Sequence, residues 1–430
     1  MGFIQASRGT RDILPEEVAT WQRIEAIAQA ILTHSAYREI RTPIFEQTEL
    51  FERGIGEATD VVGKEMYTFQ DRGDRSITLR PEGTAGAVRA YIEHKLHAQG
   101  GVQRLWYTGP MFRYERPQAG RQRQFHQLGV EVLGSADPRA DAEVIALAAD
   151  ILREVGIQGW TLSLNSVGTK ADRQHYRDAL VRYFEQYAND LDPDSQDRLH
   201  RNPLRILDSK DPKTQAIAKE APSILDYLSD LSKTHFDRVQ ELLQRLDIPF
   251  VINPCLVRGL DYYTHTAFEF QLEELGAQST VCGGGRYDGL VTELGGPDTP
   301  AIGWAIGLER LVMILQQQSE TASTDIDIYC ASRGVEAEAQ ALQVSRALQQ
   351  AGLAVEVDLS GSAFGKQMKR ADRSGAPLCL ILGDEEAQNR TLQLKWLGSG
   401  EQEVLPQSAL IERISDLKKK IILSKLAKRV

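Results

Sequence analysis

The sequence predicts two folded units: an α+β unit that a helical insertion interrupts, and a smaller C-terminal α/β unit. A hairpin within residues 111–134 indicates the first unit, because apolar residues alternate with polar ones on both sides of a turn at 117–120. Residues 168–245 indicate the insertion, since they are polar, helical in period and interrupted by four prolines. After a linker at 316–324, a strand, helix, strand, helix, strand order indicates the C-terminal unit.

The composition is that of a globular protein. The 430 residues have room for two or three domains, and 42% apolar residues suffice for ordinary cores. A net charge of −10 argues against a protein that coats nucleic acid indiscriminately. The C-terminal end is nonetheless basic, which fits either a local nucleic-acid contact or a solvated helix face; its cations are Lys418, Lys419, Lys420, Lys425, Lys428 and Arg429.

Targeting and redox features predict a cytoplasmic protein without a membrane segment. No apolar run approaches membrane-spanning length, and the first 15 residues lack the apolar core of a signal peptide. The four cysteines are scattered, so reduced thiols are expected rather than disulfides or a zinc site. His94 and His97 lie one helical turn apart, but no third ligand accompanies them, and no metal site is predicted.

The predicted elements of the first unit follow from apolar periodicity and from proline and glycine positions. In chain order they are a helix at 15–37, an extended segment at 40–45, a strand at 76–79, a helix at 85–97, the hairpin, a helix at 141–155, a strand at 160–165, the insertion, a strand at 266–272, and a strand running into a helix at 301–315. The first helix and Pro43 fit either an oligomer interface or a terminal helix packed on its own unit.

Three places in this unit leave a structural and a functional interpretation open. Glu82 and Thr84 stand at a helix start, as capping residues or as ligand contacts. The glycine run 283–285 either lets a ligand approach the backbone closely or forms a simple turn between strands. Glu309 and Arg310 lie in apolar surroundings, as an internal ion pair or with the arginine facing a ligand.

The C-terminal unit is predicted to form a small parallel sheet covered by helices. Its predicted elements are a strand at 326–330, a helix at 335–351, a strand at 354–358, a helix at 363–373, a strand at 378–382, a hairpin at 391–396 and 402–405, and a helix from 408. Gly361, Gly365 and Lys366 only superficially resemble a phosphate loop. The spacing is one residue short and Gln367 replaces the hydroxyl residue, so no phosphate loop is predicted.

The hairpin predicts a polar surface with both signs of charge. Strand alternation places Arg113 and Glu115 on one face of the first strand, and Gln127, Gly129 and Glu131 on one face of the second. Further arginines occupy the tip. Such a surface offers cations to phosphates and carboxylates to amines or base edges, as an ATP site without a P-loop requires. The alternative is a solvated polar face.

Three separated stretches together resemble histidyl-tRNA synthetase, a family of class II aminoacyl-tRNA synthetases. They are FRYERPQAGRQRQFHQLGVEVLG, LVRGLDYYTHTAFEF with CGGGRYDGL, and GWAIGLERL. The opening ASRGTRDILP and the run TLRPEGTAG are also similar to that family, so the resemblance covers essentially the full chain. Thr264 and His265, inside the histidine motif, stand at a variable position and affect no assigned contact.

The resemblance implies ATP-dependent ligation of L-histidine to tRNA(His) through a histidyl-adenylate, with AMP and pyrophosphate released. ATP is then a substrate, accompanied by Mg²⁺ that ATP holds more than the protein does. The implied fold is a catalytic domain at 1–320 with an antiparallel six-stranded sheet flanked by helices, a helical insertion at about 168–245, and an α/β anticodon-binding domain at 325–430. A homodimer is implied, with the helix at 15–37 and the Pro43 strand at its interface.

The resemblance also implies roles for individual residues. Arg113 and Arg258 are the implied catalytic residues, on the α-phosphate and beside the α-phosphate and carboxylate respectively. The implied ATP contacts are Arg113 at the α-phosphate, Glu115 and Phe125 at the adenine, Arg121 at the distal phosphates, and Arg310 at the γ-phosphate. The implied histidine contacts are Glu82, Thr84 and Gln127 at the α-ammonium group, and Glu131, Tyr263 and Tyr287 around the imidazole, with Tyr262 in the same set.

Two other functions remain to be weighed. A paralogue that regulates an ATP phosphoribosyltransferase in histidine biosynthesis resembles the catalytic domain but lacks the anticodon-binding domain. Residues 325–430 and the arginines at 113, 258 and 310 argue against that function. A synthetase for glycine or threonine would share GLER but would have no reason for RGLDYY and GGGRYDG.

Overall fold

The structure, a computed structural model, describes residues 3–56, 59, 61–117, 120–258, 260, 262–272, 279–318 and 326–427. The chain divides into two compact units, Met1–Glu320 and Thr321–Val430. Residues 316–318, the first three of the predicted linker, still belong to a helix that ends at Gln318, so the linker prediction is wrong there. The rest of the predicted linker, 319–324, lies outside the described residues.

Ten α-helices, five short 3₁₀ or π helices and eleven strands make up the described part of the first unit. The helices are α1 (Pro15–His34), α2 (Thr48–Ile55), α3 (Thr84–Glu93), α4 (Pro138–Val155), α5 (Lys170–Glu185), α6 (Pro193–Arg201), α7 (Pro212–Lys219), α8 (Asp230–Arg245), α9 (Leu290–Glu293) and α10 (Leu308–Gln318). The strands are β1 (Arg38–Glu39), β2 (Phe45–Gln47), β3 (Tyr67–Gln70), β4 (Ser76–Leu79), β5 (Gln103–Phe112), β6 (Gln124–Leu133), β7 (Thr161–Ser166), β8 (Val251–Ile252), β9 (Thr264–Gln271), β10 (Thr280–Arg286) and β11 (Ala301–Gly307).

The main sheet differs from the predicted sheet of six antiparallel strands. Among the described residues it has eight strands in the order β1-β5-β6-β11-β10-β9-β7-β8. The six inner strands pair antiparallel, whereas β1 pairs parallel with β5 and β8 pairs parallel with β7. Each edge strand has only two residues, too few for an alternating pattern to reveal. A separate three-stranded sheet has the order β2-β4-β3.

The predicted hairpin consists of β5 and β6, which pair from Gln103 opposite Leu133 to Phe112 opposite Gln124. Arg113 and Glu115 lie beyond the end of β5, in the loop, so the expectation that they share a strand face is wrong. The last cross-strand bond joins Arg113 N–H to the carbonyl of Arg123, and beyond it Glu115 N–H bonds to the carbonyl of Arg113, which turns the chain out of the strand. Part of the predicted turn, residues 118–119, lies outside the described residues.

Helix α1 packs against its own unit. Trp21, Ile24, Ala28 and Leu32 recur at helical spacing and are all buried in the main core beside α4. The predicted strand at 40–45 is wrong, because β1 ends before it and β2 begins only at its last residue. The terminal-helix interpretation therefore accounts for the apolar side of α1.

The insertion is helical, as the sequence predicts, and its prolines mark helix starts. Pro193 and Pro212 begin α6 and α7, where a proline loses no hydrogen bond. The side chains of Asp192 and Asp211 cap these helices by accepting from backbone N–H groups. Thr169 and the third residue of α5 form a capping box. Local sequence therefore sets the helix boundaries in the insertion.

The second unit has the predicted βαβαβ pattern followed by a hairpin and C-terminal helices. Its elements are β12 (Ile328–Ser332), α11 (Val335–Gln350), β13 (Val355–Val357), α12 (Phe364–Ser374), β14 (Leu378–Leu382), α13 (Asp384–Asn389), β15 (Thr391–Trp396), β16 (Gln402–Pro406), α14 (Gln407–Glu412) and α15 (Ile414–Ala427). The strand order is β13-β12-β14-β15-β16, with β12 parallel to both neighbours. Within the described ranges of both units, no helix has the length and apolar content needed to cross a bilayer.

Candidate active site

A cavity of about 210 Å³ opens over the main sheet of the first unit. Twelve of the thirteen residues that the resemblance assigns to the site line it: Glu82, Thr84, Arg113, Glu115, Arg121, Phe125, Gln127, Arg258, Tyr262, Tyr263, Tyr287 and Arg310. Arg113 and Arg258, 145 positions apart by their numbers, therefore share one cavity. The structure brings the two predicted catalytic residues together.

Glu131 is the one predicted residue that does not line the cavity. It is 1% exposed and lies behind Thr84, Tyr287 and Gly303, which do line it. Its carboxyl group accepts hydrogen bonds from Thr84 Oγ1 at 2.8 Å and Tyr107 Oη at 3.1 Å, and from the hydroxyl of Tyr287. Gly303 pairs opposite Glu131, and a Cβ on that glycine would lie 1.9 Å from Glu131 Oε2.

Burial raises the pKa of Glu131 to about 8, although hydrogen bonds from Tyr287 and Thr84 oppose the shift. Burial also raises the pKa of Glu82, against the opposing effect of two backbone N–H donors. A protonated Glu131 can donate a hydrogen bond as well as accept one. The carboxyl group of Glu131, behind the cavity wall, can therefore pair with either a hydrogen-bond donor or an acceptor.

Tyr107 is a buried member of this group that the sequence reasoning missed. Its ring fills the space left by two glycines: a Cβ at Gly83 would lie 2.1 Å from the ring, and one at Gly129 would lie 2.2 Å from it. Gly129 is paired directly opposite Tyr107 in the hairpin. A glycine in the middle of a strand is a known mark of close packing, and this was the available signal.

The structure at the start of α3 is compatible with both interpretations of Glu82 and Thr84, as capping residues and as ligand contacts. The carboxylate of Glu82 accepts from Thr84 N at 2.6 Å and Ala85 N at 2.8 Å, so it caps the helix. Glu82 and Thr84 also line the cavity. A capping carboxylate is thus fixed in place beside the position of a ligand.

The loop of the hairpin supplies the cationic side of the cavity. Arg113 Nε donates to the carbonyl of Pro81 at 2.8 Å, and its guanidinium carbon lies 5.3 Å from the centre of the Phe125 ring. Arg121 Nη1 lies 3.0 Å from Glu115 Oε2, and Arg113 Nη1 lies 3.8 Å from Glu115 Oε1. One carboxylate therefore stands between two arginines that face the cavity.

Arg310 and Glu309 do not form an ion pair with each other in the described part of the chain, so that interpretation is wrong. Glu309 accepts from His126 N and from His126 Nδ1, each at 2.9 Å. Arg310 donates to the carbonyl of Thr280 and lines the cavity. Burial, and then the charge of Arg121, lower the pKa of Arg310. The arginine of the pair faces the ligand cavity.

Arg258 lines the same cavity from a separate part of the chain. Burial opposes its charge, but the neighbouring carboxylate of Glu269, to which it is bonded, raises its pKa above the usual value. The guanidinium carbon lies 5.6 Å from the centre of the Tyr263 ring. Arg258 is therefore a cation at neutral pH.

The glycine run 283–285 is part of β10, and the interpretation as a simple turn is wrong. A Cβ at Gly283 would lie 2.5 Å from Arg258 Nη2, and one at Gly285 would lie 2.8 Å from the Tyr263 ring. These glycines make room for site side chains, and Gly283 also lines the cavity. The strand can therefore pass directly beneath Arg258 and Tyr263.

Three buried polar atoms at the cavity have no hydrogen-bond partner among the described residues, namely Glu115 Oε2, Gln127 Oε1 and Arg258 Nε. Glu115 Oε2 lies 3.0 Å from Arg121 Nη1 in an ion pair, which leaves the other two atoms without a compensating contact. Unpartnered buried polar groups are costly, so such atoms indicate ligand contacts. Gln127 Oε1 is an acceptor and Arg258 Nε a donor, as an amino acid with an ammonium group and a carboxylate requires.

Three tyrosines that line the cavity pack against one another and form one end of it. The rings of Tyr262 and Tyr263 lie 4.7 Å apart, and those of Tyr262 and Tyr287 lie 5.6 Å apart. Thr264 and His265 do not line the cavity, and the ring of His265 instead lies 5.2 Å from that of His235. The variable pair within the histidine motif therefore leaves the cavity wall unchanged.

The raised pKa of Glu131 predicts a specific pH dependence of stability. Between its ordinary value of 4.5 and about 8, the folded protein keeps a proton that the unfolded chain has released. The stabilisation is complete below the lower pH and is lost as the pH rises through this range. In urea titrations, the free energy of unfolding of the wild type should fall from pH 5 to pH 8 relative to that of Glu131→Gln.

Glu143→Gln is the control for this measurement, because hydrogen bonds from Arg104 and Tyr37 outweigh burial and lower the pKa of Glu143. Its effect on stability should change with pH only below the ordinary range of a glutamate. Parallel pH profiles of the wild type and Glu131→Gln between pH 5 and pH 8 would show that Glu131 does not titrate in that range.

Comparison with known proteins agrees with this arrangement. The sequence profile described as "Histidyl-tRNA synthetase" matches residues 9–311, and the profile described as "Anticodon binding domain" matches residues 325–417. A histidine–tRNA ligase from Acaryochloris marina is 72% identical over 425 residues, which cover 99% of each chain. One from a Cyanothece species is 71% identical over 421 residues, which cover 98% of each chain.

A solved structure is similar over the same length. The crystal structure of apo histidyl-tRNA synthetase from S. aureus has 41% sequence identity and a TM-score of 0.80, and the match covers 96% of this chain and 100% of that chain. The fold is accordingly that of a class II synthetase with catalytic and anticodon-binding domains. The chain belongs to the histidyl-tRNA synthetase family.

Proposed function

We propose that this protein ligates L-histidine to tRNA(His) in two steps. Histidine first reacts with ATP to give histidyl-adenylate and pyrophosphate, and the histidyl group then passes to the tRNA with release of AMP. The observation that carries the proposal is the convergence of Arg113 and Arg258 on one cavity, beside the unpartnered atoms Gln127 Oε1 and Arg258 Nε. Membership of the family supports the same reaction.

The first step joins two anions, which explains why the cavity needs several arginines. A carboxylate oxygen of histidine attacks the α-phosphorus, and the bond from that phosphorus to the pyrophosphate oxygen breaks. No side chain forms a covalent bond, so catalysis consists of alignment and of cations placed where charge accumulates. We assign Arg113 and Arg258 to the α-phosphate from opposite sides, because each planar guanidinium can bond to two oxygens.

The rest of ATP is assigned to the hairpin loop and α10. Phe125 offers an aromatic face to the adenine, and Glu115 offers a carboxylate oxygen to its amino group. Arg121 and Arg310 would bind the distal phosphates, since both line the cavity. The proximity of Arg121 and Arg310 lowers the pKa of Arg310, and a polyphosphate between them would relieve that repulsion.

The donor set fits Mg²⁺ that arrives on the polyphosphate. The described residues contain no group of three His, Cys, Asp or Glu side chains close enough to form a metal cage. Mg²⁺ is commonly bound by substrate phosphates and water with one or two carboxylates, and Glu309, which lines the cavity beside Arg310, would be available as one of them. When bound, the ion neutralises charge on the phosphates.

Histidine is assigned to the end of the cavity closed by the tyrosines. Glu82, Thr84 and Gln127 are positioned for the ammonium group, with the acceptor Gln127 Oε1 unpartnered. Tyr262, Tyr263 and Tyr287 are assigned to the imidazole, and Glu131 is assigned to it from behind Thr84 and Tyr287. Sites that hydrogen-bond a buried polar group reject analogues without it by about 10⁴ to 10⁵, so no editing domain is needed.

Pyrophosphate exchange measured separately with each of the twenty amino acids tests the proposed activity. Only L-histidine should support rapid exchange of labelled pyrophosphate into ATP, because only its side chain satisfies both polar sides of the pocket. Exchange that is faster with another amino acid would overturn the assignment. Exchange with none, by a folded protein, would favour a function without adenylate formation.

Removal of Arg258 should specifically slow adenylate formation. We expect Arg258→Ala to reduce the exchange rate by about 10²- to 10³-fold, as the loss of a preorganised donor to developing charge typically does. Arg104→Ala is the matched control, since Arg104 pairs with Glu143 away from the cavity and should leave exchange almost unchanged. A near wild-type rate for Arg258→Ala would remove Arg258 from the mechanism.

The regulatory paralogue is the alternative function, and the present chain does not favour it. The anticodon-binding profile matches residues 325–417, a region that the paralogue lacks. Arg113, Arg258 and Arg310 all line the same cavity. A regulator that does not activate an amino acid has no need for these three cations.

A second cavity, of about 300 Å³, supports a nucleic-acid substrate. Six cations line it, and none of its lining residues is acidic: Lys170, Arg173, Arg177, Arg201, Arg205 and Arg258. Arg258, Leu260 and Tyr263 line both cavities, so the basic cleft continues from the active site. We infer that it holds phosphates of the tRNA acceptor end, which must reach the adenylate.

Substitutions in the basic cleft should impair transfer of the histidyl group to tRNA without impairing adenylate formation. Arg177→Gln combined with Arg201→Gln should raise the KM for tRNA(His) by about tenfold, because phosphate contacts are lost. For the same reason, the KM of this variant should rise less steeply with salt concentration than that of the wild type. Pyrophosphate exchange without tRNA should stay at the wild-type rate. Arg182→Gln, on an exposed part of α5, is the control; equal tRNA effects from both variants would contradict the assignment.

Three further assignments complete the proposal. The second unit would bind the anticodon, as its profile match implies. A homodimer would form through the exposed apolar side chains Ile44, Phe45 and Phe69 rather than through the buried side of α1. The protein would act in the cytoplasm, which agrees with its four free thiols.

A further inference from the structure

Arg80 is a buried arginine whose charge no carboxylate neutralises within ion-pair distance in the described part of the chain. It is 6% exposed, and burial lowers its pKa. Arg286, which is also buried in this unit, is paired with Asp141, and the half-buried Arg258 is paired with Glu269. Burying an unpaired cation is costly, so the position of Arg80 requires a compensating role.

The guanidinium group of Arg80 joins two separate segments through their backbone oxygens. Its Nε donates to the carbonyl of Pro110 at 2.9 Å, and its Nη1 donates to the carbonyl of Thr42 at 3.0 Å and to Thr42 Oγ1 at 3.2 Å. Gly109 leaves room for it, because a Cβ there would lie 2.5 Å from Arg80 Nη2. The side chain thus clamps the end of β5 to the segment before β2.

The backbone of residue 80 makes the same connection. Its N–H donates to the carbonyl of Ile44 at 2.9 Å, and its carbonyl accepts from the N–H of Phe112 at 2.9 Å. The main-chain and side-chain bonds of Arg80 therefore fix its position from two directions. The peptide that follows it has little freedom to move.

The residue after Arg80, Pro81, contacts a side chain of the proposed reaction centre. The carbonyl of Pro81 accepts from Arg113 Nε at 2.8 Å and is a fixed acceptor for the side chain assigned to the α-phosphate. The next residue, Glu82, caps α3 and lines the cavity. Any shift of Pro81 would therefore turn Arg113 relative to the substrate.

We propose that Arg80 is a positioning residue for adenylate formation, which acts by fixing the Pro81 carbonyl that aims Arg113. The inference rests on the proposed function, because it assumes that Arg113 stabilises the α-phosphate. A planar fork is required, since one side chain must reach oxygens of two segments at once. A lysine would keep the charge but has no fixed fork.

Kinetics of Arg80→Lys in two backgrounds test the proposal. In the wild-type background, kcat for histidine-dependent exchange should fall by about 10- to 100-fold, because small misplacement of a reacting group costs this much. The KM for histidine should change less than about twofold, since Arg80 does not touch the cavity. In the Arg113→Ala background, which has no side-chain donor to Pro81, Arg80→Lys should lower kcat by less than about twofold.

Two controls separate positioning from general damage to the fold. Arg89→Lys makes the same chemical change at a half-buried arginine that pairs with Glu46 and Glu93, and it should leave kcat unchanged. Thr42→Val removes only the hydroxyl acceptor and should give a smaller loss of kcat with the same dependence on Arg113. This variant also serves as the test if Arg80→Lys does not fold.

An equal loss of kcat in both backgrounds would show that Arg80 acts through the fold in general and would overturn the proposal. A wild-type rate for Arg80→Lys would do the same. If the wild-type protein itself shows no exchange with histidine, the proposed function fails instead, so the two failures are distinguishable.

Discussion

The buried carboxyl group of Glu131 is the constraint on which the amino-acid side of the cavity depends. It lies on β6 and accepts hydrogen bonds from Thr84 on α3, Tyr107 on β5 and Tyr287 after β10. A buried carboxyl is tolerated only when such partners are all present. Four segments that are distant in sequence must therefore reach their final positions together. Glycines at positions 83, 129 and 303 provide the space in which they do so.

The elements of this fold were largely predictable because their patterns are local. The strand β14 has the predicted bounds, and the prolines of the insertion mark helix starts through ordinary capping. The edge strand β1 was missed because two residues cannot show alternation. Arg113 and Glu115 were placed on a strand because the alternation continues past the point where backbone pairing ends. Pairing is tertiary information that one strand does not contain.

The residues of the candidate site could be predicted from the sequence, but their hydrogen-bond partners could not. Strand alternation pointed to Arg113, apolar surroundings pointed to Arg310, and family resemblance alone pointed to Arg258; the three do line one cavity. Their acceptors are the carbonyl of Pro81, the carboxylate of Glu269 and the carbonyl of Thr280. Two of these acceptors are backbone oxygens, which every residue has, so no sequence pattern identifies them. The position of Glu131 behind the wall is likewise set by packing.

The attachment of the helical insertion limits how far it can vary. The chain enters it from β7 and returns through β8, and these strands pair in parallel, with Ser163 opposite Val251. A parallel pair needs a crossover from the end of one strand back to the start of the next, and the inserted helices supply it. The last of them, α8, contributes Phe236, Val239 and Leu243 to the main core. The helices before α8 can therefore change in length or sequence more freely than α8, which is part of the support of the catalytic sheet.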